Sequence, residues 1–105
     1  MKKCIWTLLL LLPLYLGAQD ITQTIRGTVV DQESKFPLIG VNVVVTTEDS
    51  TVIGTTTEVD GTYRLENVPL GRQTISYSYI SYETVVLNNI VVSSGREVIQ
   101  NVEMA

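Results

Sequence analysis

Val41-Asn42-Val43-Val44-Val45-Thr46 sets the pattern for this chain. β-Branched side chains fill all but one of its positions, and such residues suit a pleated strand better than a helix. Successive side chains of a strand point to opposite faces, so Val41, Val43 and Val45 share one face while Asn42 and Thr46 lie on the other. The run is therefore a half-buried strand with a valine face turned to a core. Ile75, Tyr77 and Tyr79 repeat the arrangement opposite Ser76, Ser78 and Ile80.

The same period of two recurs on either side, in short runs rich in Val, Ile, Thr and Tyr. Strands are expected at about Thr24 to Asp31, Val41 to Thr47, Val52 to Glu58, Thr62 to Val68, Arg72 to Ser81, Glu83 to Asn88, Ile90 to Val92 and Glu97 to Met104, and no stretch reads as a helix. Turn chemistry separates them: Phe36-Pro37-Leu38-Ile39-Gly40, Val59-Asp60-Gly61, Pro69-Leu70-Gly71, Asn88-Asn89 and Ser93-Ser94-Gly95. Asp60-Gly61 suits a tight hairpin turn, and Gly61 and Gly71 stand where positive φ is needed. Pro37 and Pro69 lack the N–H that an inner strand would use. Short strands with turns every ten residues or so predict a sandwich.

The start of the chain follows a different grammar. Lys2 and Lys3 precede an apolar run from Ile5 to Leu16, and Gly17-Ala18 ends it with small residues. That is the layout of a secretory signal peptide, and the run is shorter than the roughly 20 residues of a membrane span. The expectation is a signal peptide over residues 1–18, cleavage between Ala18 and Gln19, and one domain over residues 19–105 with no membrane insertion after cleavage. The single cysteine, Cys4, precedes the apolar run, so it goes with the leader and leaves neither disulfides nor thiol chemistry.

Removing Lys2 and Lys3 leaves Arg26, Lys35, Arg64, Arg72 and Arg96 against 11 acidic residues. The basic residues are single and widely spaced, which argues against nucleic acid and against an anionic membrane surface as partners. The chain contains 0 His residues, so imidazole-based triads are excluded, and a zinc site would have to use carboxylates alone, which is rare. Glu48-Asp49 and Glu58 with Asp60 are the nearest candidates for paired-carboxylate or calcium chemistry. Their places at strand ends read as exposed turn charges, and neither pair has the spacing of a twelve-residue calcium loop. No catalytic, cofactor or metal residues are assigned, and no enzyme is expected. The aromatics after the leader, Phe36, Tyr63, Tyr77, Tyr79 and Tyr82, are expected mainly in the core. Tyr82, on the face opposite Tyr77 and Tyr79, is the candidate surface contact.

The order of these elements resembles the carboxypeptidase-regulatory-like domain over nearly the whole chain after the leader. The resemblance rests on Ile25-Arg26-Gly27-Thr28-Val29-Val30-Asp31, on Pro37-Leu38-Ile39-Gly40-Val41-Asn42-Val43, and on Gly54-Thr55-Thr56-Thr57 leading to Asp60-Gly61. It continues through Tyr63-Arg64-Leu65, Val68-Pro69-Leu70-Gly71 and Ser78-Tyr79-Ile80-Ser81-Tyr82. The resemblance implies a seven-stranded Greek-key β-sandwich of the transthyretin-like or prealbumin-like type, related in shape to immunoglobulin folds. It also implies a setting: the N-terminal periplasmic domain of TonB-dependent outer-membrane receptors of Bacteroidetes, ahead of a plug and a large barrel. A protein partner is implied, either the receptor's plug and barrel or a periplasmic protein. A free-standing secreted module for carbohydrate or protein is the alternative. Two departures stand out: Thr57-Glu58 where the family often has Thr-Asp, and Ile80-Ser81-Tyr82 where it often has Ile-Gly-Tyr. Ser81 is small, so the local backbone is expected to survive.

Overall fold

The computed structural model describes residues 21–105. The expected leader and its cleavage residues Ala18 and Gln19 lie outside the described residues. Eight strands form two sheets, and no helix occurs among the described residues. They are β1 (Thr22–Asp31), β2 (Asn42–Thr46), β3 (Val52–Thr56), β4 (Thr62–Pro69), β5 (Gly71–Ser78), β6 (Val85–Val92), β7 (Val98–Ile99) and β8 (Val102–Met104). In the first sheet β1 lies between antiparallel β4 and the parallel segments β7 and β8; the second has the order β3-β2-β5-β6.

The core fills the space between the sheets, and the alternation read in the sequence places it well. Val41, Val43, Val45, Ile75 and Tyr77 have no exposure, and from the facing sheet Ile25, Val29, Leu65 and Val68 meet them. Asn42 and Thr46 are exposed on the outer face. Buried aliphatic area of this kind contributes about 25 cal/mol per Å² and supplies most of the stability of a domain without disulfides.

Several expectations are corrected by the pairing. The count is eight rather than seven, because the C-terminal run from Glu97 to Met104 is broken into β7 and β8 at Gln100-Asn101. The Gln100 carbonyl turns inward there to accept the Tyr63 hydroxyl at 2.6 Å, while the Asn101 side chain accepts the Thr28 N–H at 3.0 Å. The segments around Asn88-Asn89 form one strand: Asn89 takes φ 61 and is absorbed as a bulge, and Asn67 with φ 60 does the same in β4. Asparagine tolerates the left-handed region better than most residues, so both strands continue past the irregularity.

The turn at Asp60-Gly61 is tight, with Gly61 at φ 78, but it is no hairpin. β3 pairs with β2 and β4 with β1, so this turn carries the chain from one sheet to the other. Strand ends also move: β3 stops at Thr56 and β5 at Ser78. Thr57, expected inside β3, is buried; its hydroxyl accepts the Val41 N–H at 3.0 Å and donates to the Leu38 carbonyl at 2.5 Å. Because regular alternation ends at Ser78, Tyr82 is not opposite Tyr79: the two rings lie 5.7 Å apart. Phe36, expected in the core, is 71% exposed on the loop between β1 and β2.

Candidate functional site

The antiparallel order puts three loops at one end of the sandwich: residues 32–41, 57–61 and 79–84. Hydrogen bonds fix them to one another. Asp31 ends β1, and its Oδ1 accepts the N–H groups of Glu33 and Ser34, each at 2.9 Å. Its other oxygen accepts the Tyr82 hydroxyl at 2.7 Å, so one carboxylate ties the first loop to the third. These bonds, led by that from Ser34, hold the Asp31 carboxyl at about 2, below its ordinary 3.8. The same carboxylate raises the Tyr82 phenol above its ordinary value, since ionisation would destroy the donor.

The second loop is held by close packing. A Cβ on Gly61 would lie 2.7 Å from the Val29 carbonyl oxygen and 2.8 Å from Pro37 Cβ, so glycine alone lets this turn seat against the first loop. Ser81 sits at φ 70 in the third loop. Its position is where the resemblance leads one to expect glycine, and the backbone there is left-handed, as glycine would prefer.

Held in this way, the three loops present apolar side chains to solvent. Phe36, Ile39, Val59 and Ile80 are all exposed, Ile80 to 84%. Tyr82, the candidate contact from sequence, is half-buried beside them and packs against the core cluster. The sequence reading missed the other four as a group because they lie on three separate loops. The legible signal was an isolated apolar residue in each turn segment.

Next to this end, β1, β3 and β4 border an open cleft of about 600 Å³, lined among others by Arg26, Thr28, Glu58, Thr62, Arg64 and Asn101. Arg26 and Arg64, distant in sequence, are directly opposite in the β1–β4 register. Their repulsion is relieved by Glu97, whose carboxylate lies 2.5 Å from Arg26 Nε and 3.9 Å from Arg64 Nη2, and by Glu66 at 2.9 Å from Arg64 Nε. The result is a balanced polar lining rather than a basic patch. Exposed pairs of this sort stabilise by about 0 to 1 kcal/mol.

The carboxylates weighed for catalysis or calcium do not gather. Glu48 and Asp49 follow β2 at the opposite end from Glu58 and Asp60. Asp49 accepts hydrogen bonds from Thr47 and Thr51, and Asp60 from Thr62; these lower both carboxyls below their ordinary value. Each closes its own turn. No group of three potential metal-ligating side chains occurs among the described residues, and no helix there is long and apolar enough to cross a membrane.

These features define a two-sheet β-sandwich module that displays buttressed loops at one end. The chain belongs to the carboxypeptidase regulatory-like domain family, whose model matches residues 24–105. Among solved structures it is similar to the Bacillus anthracis TIE protein, with 21% identity and a TM-score of 0.67 over 79% of this chain and 16% of that one. A type II cohesin–X-dockerin complex from Acetivibrio cellulolyticus gives 17% identity and a TM-score of 0.63 over 76% of this chain and 52% of that chain. The dioxygenase domain of a dioxygenase carbohydrate-binding protein fusion from Streptomyces sp. SirexAA-E gives 15% identity and a TM-score of 0.60 over 80% of both chains. The chain thus spans less than two thirds of the first two, and at such identities the likeness is one of fold. Among curated proteins none matches.

Proposed function

We propose that this chain is a non-catalytic accessory domain of a TonB-dependent outer-membrane receptor, exported to the periplasm, where it docks a protein partner: the receptor's own plug and barrel or a periplasmic protein. The observation that carries the reading is the loop end, where Phe36, Ile39, Val59 and Ile80 stand in solvent on loops pinned by Asp31, Tyr82 and Gly61. Exposed apolar side chains on rigid loops suit docking, because little conformational entropy is lost on contact. Family membership and the basic, then apolar, start of the sequence support the setting. Cleavage between Ala18 and Gln19 belongs to the same proposal and is read by N-terminal sequencing of the exported protein.

An immunoblot of fractionated cells with an antibody to residues 21–105 tests the setting. A receptor-sized band in the outer membrane supports it; a band no larger than the 105-residue chain in the soluble periplasm or medium refutes it. The cleft favours a second reading, a free-standing carbohydrate-binding module, because arginine, asparagine, threonine and glutamate side chains together donate to and accept from sugar hydroxyls. Glycan binding that is lost in Arg64→Ala and kept in Phe36→Ser would select that reading instead.

A further inference from the structure

Charge is distributed very unevenly between the two sheets. Arg72 is the only charged side chain on the four strands of the second sheet, whereas the first carries Arg26, Asp31, Arg64, Glu66 and Glu103. β6 forms an edge of the second sheet, and its outer side has no strand partner among the described residues. Of the devices that commonly protect an edge it has the bulge at Asn88-Asn89, but neither a charged residue nor a proline in Val85–Val92.

The order of residues along β6 is nearly the same from either end: Val85-Val86-Leu87-Asn88, then Asn89-Ile90-Val91-Val92. The bulge at the central asparagines makes its facing symmetrical as well. Val85, Leu87, Ile90 and Val92 turn towards the core, while Val86 and Val91 are exposed to 52% and 63%. A strand that repeats its own sequence and facing in reverse is self-complementary in an antiparallel pair.

We propose that β6 is a homotypic docking edge, pairing antiparallel with β6 of a second copy of this chain about a two-fold axis between Asn88 and Asn89. This register sets Val86 against Val91 of the second copy, Leu87 against Ile90, Val85 against Val92, and the asparagines against each other. The second sheets of both copies then form one continuous eight-stranded sheet, with three-residue ladders on either side of the bulges. Charge supports a second copy as the occupant. The domain is acidic, and this edge lets two acidic copies meet through uncharged side chains. Glu83 before the strand and Arg96 after it have no ion-pair partner among the described residues. The two-fold brings Glu83 of one copy and Arg96 of the other to the same end of the ribbon.

Sedimentation of the full chain from about 1 μM to about 1 mM, the span that covers weak to moderate affinities, tests the proposal. A monomer–dimer equilibrium is expected. Val86→Glu and Val91→Lys, both at exposed positions, each raise Kd about tenfold or more by placing a lone charge against valine. An equimolar mixture of the two variants recovers dimer, because Val86→Glu in one copy then faces Val91→Lys in the other. Thermal melts confirm that the variants fold. Amide exchange of the unaltered chain provides a second reading: β6 gains protection as concentration rises, while the other free edge, β3, does not. A monomer throughout, a dimer indifferent to both substitutions, or no recovery in the mixture would overturn the proposal.

Discussion

Tyr63 on β4 and Tyr77 on β5 join the two sheets through the middle of the core, and their hydrogen bonds have a fixed direction. The hydroxyls lie 2.8 Å apart, and the Tyr63 hydroxyl is 2.6 Å from the Gln100 carbonyl oxygen. A carbonyl only accepts, so the Tyr63 proton goes to Gln100 and the Tyr77 proton goes to Tyr63. Burial raises both phenols above their ordinary value, which keeps both protons in place at neutral pH. Tyr77→Phe removes one donor from a hydroxyl whose other bond survives, at a cost of about 0.5 to 1.5 kcal/mol. Tyr63→Phe leaves two groups unpaired, the Gln100 carbonyl and the Tyr77 hydroxyl, and costs roughly 2 to 6 kcal/mol at about 1 to 3 per orphaned group. With a urea slope near 1 kcal/mol per M for a small domain, the midpoint falls by about 2 M or more for Tyr63→Phe and by about 0.5 to 1.5 M for Tyr77→Phe. Urea melts followed by circular dichroism measure both. The double variant should cost less than the sum, since it removes the Tyr77 orphan. Equal costs, or the reverse order, would refute the direction of the chain.

Other outcomes follow from the loop end. Thr57→Val keeps the side-chain volume but strands the Val41 N–H and the Leu38 carbonyl, and should cost about 2 to 6 kcal/mol in urea melts, with Thr57→Ser close to the parent. Ser81→Gly relieves a left-handed serine and should raise stability by about 1 kcal/mol in the same assay, part of the strain relief being offset by unfolded-state entropy. The Asp31 carboxyl lies below its unfolded value, so folding favours its ionised form. Its contribution is present above pH 3.8 and lost as pH falls through about 2. Melts of the parent against Asp31→Asn from pH 5 to 2 should converge across that window, and Tyr82→Phe should move the Asp31 titration seen by NMR upward.

What was legible in the sequence was local. Alternation alone separated Val41, Val43 and Val45 from Asn42 and Thr46, because side-chain direction in a strand is set within two residues. Gly61 and Gly71 were likewise readable, their positive φ being a property of single turns. Phe36 was not: in a loop no period says which way a side chain turns, and its exposure depends on how the loop folds back through the Asp31 N–H to Phe36 carbonyl bond. The apolar loop end shared that fate.

The sequence by itself determined most of the strands, their buried faces and most of the turns, since each depends on neighbours a few residues away. Only the tertiary structure decided which strands pair. Asp60-Gly61 has the chemistry of a hairpin whether or not its strands are partners, and here β3 pairs with β2 while β4 pairs with β1. Gly27 makes the same point: a Cβ there would lie 1.9 Å from the Gln100 carbonyl oxygen, a contact made across the fold by a residue distant in sequence. Arg26 beside Arg64, Asp31 beneath Tyr82 and Tyr63 against Tyr77 arise in this way, because register between distant strands is fixed by the joint packing of two sheets.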